Sequence, residues 1–255
     1  MTLKYHDGED WQTSGLWKSS HEQKAILVCG GPSMNSIDLS KLRGPNKTIF
    51  GLNNTYPKVY PDVWLGADDP HCYNRHVFYE PFIKILRGGY NDRLCEGREI
   101  YSLPNLFYAS LDDCKYVDLF HRFSRNTGKF VWHWDVFTLA INIILYMGYR
   151  EIYLVGCDLS TEKSVYHNPD QTIPQELVSY NQSLYDKLYG YLIWINKNLA
   201  QLEDLKIYSM SPLSRINDIF NYKSIEELNV EIYKNLPPLG PLYHTKEMDS
   251  LQNSS

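Results

Sequence analysis

No run in this sequence approaches 18 uninterrupted apolar residues, so nothing in it reads as a membrane-spanning helix. No C-x-x-C occurs, and the five cysteines (Cys29, Cys72, Cys95, Cys114, Cys157) are odd in number and widely spaced. That pattern fits neither a zinc site nor a disulfide framework, and a reducing compartment is expected. Cys29 and Cys157 end apolar runs and read as small buried hydrophobes. The opening residues, MTLKYHDGEDWQTSG, lack the apolar centre of a signal peptide, and the cytosol is the expected location. A cationic excess is missing too. The net charge is -5, whereas nucleic acids are held mainly by clustered Lys and Arg, so no nucleic-acid partner is expected. A single nucleotide needs only a few local donors and stays open. There is no internal repeat and no low-complexity tract.

Aromatic residues, by contrast, are plentiful: 21 Tyr and 6 Trp lift their share to 14%. Such rings either fill a core or offer flat faces to sugars and bases. With 43% apolar and 22% charged residues over 255 positions, the chain reads as an ordinary globular protein. It is long enough to bury roughly 70–75% of its unfolded surface.

Residues 1–24 read as a polar N-terminal arm with Trp11 and Trp17 as anchors. Residues 25–228 form an α/β domain, and 229–255, opened by Pro237, Pro238 and Pro241, an extended or disordered tail. Within the domain, residues 25–29, 48–52, 63–67 and 152–156 are short continuous apolar runs, the pattern of strands buried on both faces. Residues 207–209 are a further strand. Residues 78–86 read as helical, 99–103 and 106–108 as strands. Asp135 to Met147 is the clearest helix, apolar on nearly every face, with Asp135 as its N-cap and Gly148 as its left-handed stop. A polar loop near 160–174 precedes a long helix over 175–202, and its length without secondary structure marks it as a lid. Alternating strands and helices predict a mainly parallel, Rossmann-like sheet with helices on both faces and a small lid region.

In such sheets ligands sit beyond the carboxyl ends of the strands. Here those ends carry Gly30-Gly31-Pro32-Ser33, Asn53-Asn54, Asp68-Asp69 and Cys157-Asp158. The glycine turn offers the N–H groups of Gly30, Gly31 and Ser33 as an anion nest, or else is a tight turn with no ligand. Asn53 and Asn54 either bond a ribose, base or phosphate, or form a turn. Asp68 and Asp69 either bind a divalent cation or cap a helix after Pro70. Asp158 either fixes the site or binds a ribose hydroxyl. The expected nucleotide-binding set is thus Gly30, Gly31, Pro32, Ser33, Asn53, Asn54, Asp68 and Asp158.

Taken together, 25–33, 49–56, 148–158 and 206–214 resemble the bacterial sialyltransferases of glycosyltransferase family 42. They also resemble the related motility-associated flagellin glycosyltransferases and archaeal 6-hydroxymethylpterin diphosphokinases. The strongest piece is the helix end, turn and strand over 147–158, followed by the Gly-Pro-Ser turn. The resemblance implies a metal-independent transfer from a CMP-activated sugar to an acceptor hydroxyl, with no cofactor. A histidine acts as base and tyrosines stabilise the departing phosphate. Carried over by position, Gly31-Pro32-Ser33 lie under the phosphate and Asn53 bonds the nucleotide. Tyr166 is a phosphate tyrosine and His167, the histidine of the lid, the base, with His133 next in line. The chain departs from the family at Gly30 (asparagine there), Ser160 (the second tyrosine) and Asp135-Val136 (Ser-Gly). The diphosphokinase branch implies instead ATP and Mg²⁺ held by Asp68 and Asp69, and the departures leave room for an inactive nucleotide-binding protein. Neither the acceptor nor the oligomeric state is readable from the sequence.

Overall fold

The computed structural model describes residues 3–16, 18–20, 23–90, 94–95, 98–113, 130–132, 135–161, 175–198 and 205–229. In chain order its strands are β1 (Leu3–His6), β2 (Trp11–Thr13), β3 (Lys24–Val28), β4 (Lys47–Leu52), β5 (Val63–Gly66), β6 (Ile83–Arg87), β7 (Leu94–Cys95), β8 (Arg98–Glu99), β9 (Leu106–Ala109), β10 (Leu111–Asp113), β11 (Phe130–Trp132), β12 (Glu151–Val155) and β13 (Lys206–Ser209). Alternate residues of β3 enter two different cores: Ala25 and Leu27 one, Ile26 and Val28 the other. Both faces are therefore dry, which is why the run is continuous rather than alternating.

The main sheet has the order β13-β12-β3-β4-β5-β6-β9-β1-β2. Neighbours from β13 to β9 are parallel, while β1 runs antiparallel to β9 and β2 antiparallel to β1. The chain steps outward from β3 to β9, then returns to the opposite side of β3 with β12 and β13. The reversal in strand order falls between β3 and β12, where such sheets open a crevice. Two small ladders, β7 with β8 and β10 with β11, stand apart from this sheet.

Asp135 caps the buried helix as expected: its carboxylate accepts the Thr138 N–H at 2.6 Å and the Thr138 hydroxyl at 2.7 Å. The helix covers Val136–Tyr146, every residue from Phe137 onward is buried, and Gly148 stops it at φ 99°. Each buried Leu or Ile there contributes about 1.5–3 kcal/mol relative to exposure. The long helix, Gln175–Lys197, sends Leu188, Tyr191, Leu192 and Ile195 into the same core. Both long helices thus share one face of the sheet. The opposite face is covered by 3₁₀ turns at Pro32–Ser36 and Leu39–Leu42 and by residues 225–229. Among the described residues no helix is long and apolar enough to cross a membrane.

Three expectations change, one of them at residues 99–103, where the strand ends at Glu99 and Ile100–Ser102 form a 3₁₀ turn. Residues 1–24 are no arm: β1 and β2 complete the sheet, anchored by the fully buried Leu3 and by edge contacts of Tyr5 with Phe107 and Trp11 with Tyr108. All three residues of β2 are exposed, so the segment carries no apolar pattern. Residues 78–86 are not one helix but the end of a 3₁₀ turn, Arg75–Tyr79, followed by β6. Pro81 separates the two, and Ile83 and Ile85 suit the pleated position between β5 and β9. The lid region from 162 onward and the tail from 230 lie outside the described residues.

Candidate functional site

The carboxyl ends of β3, β4, β5 and β12 and the N-terminus of the buried helix enclose a cleft of about 360 Å³. Of the residues expected there, Gly31, Pro32, Asn53, Asp68 and Asp158 line it. Gly30, Ser33 and Asn54 do not. Gly30 is buried beneath the turn at φ 81°, Ser33 points its hydroxyl to Ser211 Oγ at 2.8 Å, and Asn54 faces solvent. Tyr166, His167 and His133 lie outside the described residues.

The glycine turn is built differently from the expected anion nest. Gly31 N–H donates to Gly156 O at 2.8 Å, and Ser33 N–H donates to Asp158 Oδ2 at 2.8 Å; Pro32 has no N–H. Two of the three expected donors thus meet the β12 loop, with a carboxylate of the protein where an anion was expected. This loop is latched in turn to the end of β13. Gly156 N–H donates to Ser211 Oγ at 3.1 Å, and Ser214 Oγ donates to Cys157 O at 2.5 Å. Serines after β13 therefore hold the floor of the cleft from below.

Asn53 sits at φ 49° after β4. Its carbonyl accepts Trp64 Nε1–H at 2.7 Å and its Oδ1 accepts the Tyr73 hydroxyl at 3.3 Å. Tyr73 Oη in turn accepts the N–H groups of Ala67 and Asp68 at 2.9 and 2.7 Å, tying the ends of β4 and β5 together. Burial pushes the Tyr73 phenol upward, so it stays a neutral strut. Asn53 itself lines the cleft. Asp69, by contrast, caps the 3₁₀ turn Pro70–Cys72, its Oδ1 accepting the His71 N–H at 3.2 Å and lying 2.7 Å from His71 Nδ1.

Two residues that the sequence reading left out of the site complete it. Asp135, read there as a cap and as a departure from the family's Ser-Gly, lines the cleft, and burial raises its carboxyl to about 6 against the bonds from Thr138. Asn181 also lines it, 6% exposed. Its signal was present: it stands seven residues before Leu188 on the stripe that otherwise buries apolar side chains. Three carboxylates, Asp68, Asp135 and Asp158, thus face the cleft, with no Lys or Arg among its described lining residues. Cys29 and Cys157 also line it. Burial first, then Cys157, Asp158 and Asp135, hold the Cys29 thiol well above its usual range, which makes it a poor nucleophile.

The raised Asp135 carboxyl predicts a pH dependence. The folded state holds this proton more tightly than the unfolded chain, so stability from this group is full below pH 3.8 and is lost as pH rises through about 6. Asp135→Asn keeps a capping oxygen and removes the charge. In denaturant titrations it should flatten that fall and be more stable than wild type at pH 7 by about 1–2 kcal/mol.

No protein-family model matches the sequence, and no curated protein matches it. Solved structures do. The sialyltransferase CstII from Campylobacter jejuni, in complex with the substrate analogue CMP-3FNeuAc, is 14% identical over 91% of this chain and 99% of that one, with a TM-score of 0.47. The monofunctional alpha-2,3-sialyltransferase Cst-I of the same organism is 14% identical over 91% of this chain and 93% of that one, at 0.48. The MAf glycosyltransferase from Magnetospirillum magneticum AMB-1 is 13% identical over 99% of this chain and 38% of that one, at 0.47.

Proposed function

We propose that the chain is a glycosyltransferase that moves a sugar, sialic-acid-like by resemblance, from a CMP-activated donor to an acceptor hydroxyl. The observation that carries this reading is the cleft at the reversal between β3 and β12, acidic and free of Lys and Arg among its described walls. A polyphosphate would be repelled there. The hydroxyls of a nucleoside and a sugar would be welcome, because carboxylates accept from them. The single phosphate of a CMP-sugar needs only neutral donors. Asn53 Nδ2 is one, and Tyr166 is the second by resemblance, with His167 as the base. No metal is needed on this reading, and the cytosol is the proposed location.

The diphosphokinase reading comes second. It asks Asp68 and Asp69 to share a cation, but Asp69 is committed to capping His71.

A thermal-shift panel of CMP, CDP, UDP, GDP and ATP, each with and without Mg²⁺, tests the choice. CMP should raise the melting temperature without metal, by the equivalent of about 2.7 kcal/mol at a hundredfold excess over Kd. Stabilisation by ATP only with Mg²⁺ would put the diphosphokinase first. Silence throughout would leave an inactive or interaction protein.

A further inference from the structure

Two buried polar atoms of the cleft have no hydrogen-bond partner among the described residues: Asp158 Oδ1, which can only accept, and Asn181 Nδ2, which can only donate. Buried polar groups are nearly always met, and an unmet pair of opposite sense in one cavity points to a ligand that supplies both halves. Asn181 makes no hydrogen bond through its amide nitrogen among the described residues. Its stripe on the long helix continues as Leu188, Tyr191, Leu192 and Ile195, and a leucine would fill the position without leaving an amide unmet. Asp158 is already anchored through Oδ2 to Ser33 N–H, so its free oxygen is held in one place.

The two groups come from different elements, a strand end and a helix. Hydroxyls rotate, and each can donate to a carboxylate or accept from an amide. Asp68 and Asp135 on the same walls disfavour the phosphate here. The acceptor, moreover, has to reach the transferred sugar from the open side. Asp158 and Asn181 both line the cleft, so the nucleoside is the part of the donor they are placed to meet. We propose that Asn181 and Asp158 bind the vicinal 2′ and 3′ hydroxyls of the donor's ribose, and that Asn181 is a specificity-determining residue for ribonucleotides. This rests on the nucleotide-sugar reading above.

Calorimetric titration of wild type, Asn181→Leu and Asn181→Ala with CMP, UMP and 2′,3′-dideoxy-CMP tests it. Wild type should bind CMP at least about tenfold more tightly than the dideoxy form, as a site built around a hydroxyl rejects its absence. Asn181→Leu should weaken CMP and cut that ratio severalfold, with Asp158 still meeting a hydroxyl. Its ligand-free melting temperature should match or exceed that of wild type, whereas a merely structural amide would lower it. If the leucine variant does not fold, the alanine variant carries the same comparison of ratios.

Equal binding of CMP and its dideoxy form by wild type overturns the inference, and so does discrimination that is undiminished in the Asn181 variants. Both outcomes leave CMP binding, and the nucleotide reading, intact. A preference for CMP over UMP that vanishes with Asn181, while the dideoxy form binds as well as CMP, overturns it in favour of a base-edge contact. Failure of wild type to bind any of the three overturns the nucleotide reading, and this inference with it.

Discussion

Gly31→Ala is expected to cost about 3 kcal/mol of folding stability, at the upper end for overpacking a tight interior. A Cβ at Gly31 would lie 2.4 Å from Gly156 O and 2.7 Å from Asp158 Oδ2. The nearer atom is backbone, so no side-chain rotation relieves the clash. Gly156 cannot give way easily either, because it holds φ 65° and its own Cβ position lies 3.0 Å from Gly31 N. Opening this contact would also break Gly31 N–H to Gly156 O and loosen Ser33 N–H from Asp158. The turn read from sequence as an anion nest predicts another result: even Gly31→Val would fold normally and lose about tenfold in nucleotide affinity. Denaturant titration of Gly31→Ala decides between them. A midpoint unchanged from wild type would show that the β3 and β12 loops are not in contact.

Lys84→Met should stabilise the protein at neutral pH and lose that advantage in alkali. Lys84 is fully buried in β6. Its ammonium donates to the carbonyls of Glu80 and Phe82, the latter at 3.1 Å, and lies 5.5 Å from the Phe82 ring centroid. Burial lowers its pKa from 10.5 to about 8, only partly opposed by Glu80. The unfolded chain therefore binds the proton more tightly, and stability from this group is full above pH 10.5 and lost as pH falls through about 8. The charged form is disfavoured in the fold by about 3 kcal/mol. Methionine has the length without the charge, but it leaves two carbonyls without a donor, so a net gain of about 1–2 kcal/mol is expected at pH 7. Denaturation at pH 6, 7, 9 and 10 should show wild type gaining on the variant as pH rises. A difference that does not change with pH would mean the amine is not desolvated.

How much of the molecule was legible beforehand depended on the range of the interactions. The buried helix could be read from Asp135 to Gly148 because its cap, its apolar faces and its stop all lie within one segment. The core strands were legible because burial on both faces leaves an unmistakable apolar run, and their polar ends marked the side of the sheet that holds the cleft. Asp69 was legible only as a choice between cation and cap, and its 3₁₀ turn decided for the cap.

What the sequence by itself determined was therefore local: a parallel α/β sheet and four polar strand ends pointing one way. Only the tertiary structure decided which donors of those ends remain for a ligand. Ser33 and Asp158 stand 125 residues apart, and no pattern around either announces that one satisfies the other. The edge strands β1 and β2, too short and exposed to carry a period, were decided by pairing with β9. Asp135 and Asn181 entered the site for the same reason. A residue's helix can be read from its neighbours in sequence, but the wall it faces is set by packing between distant elements.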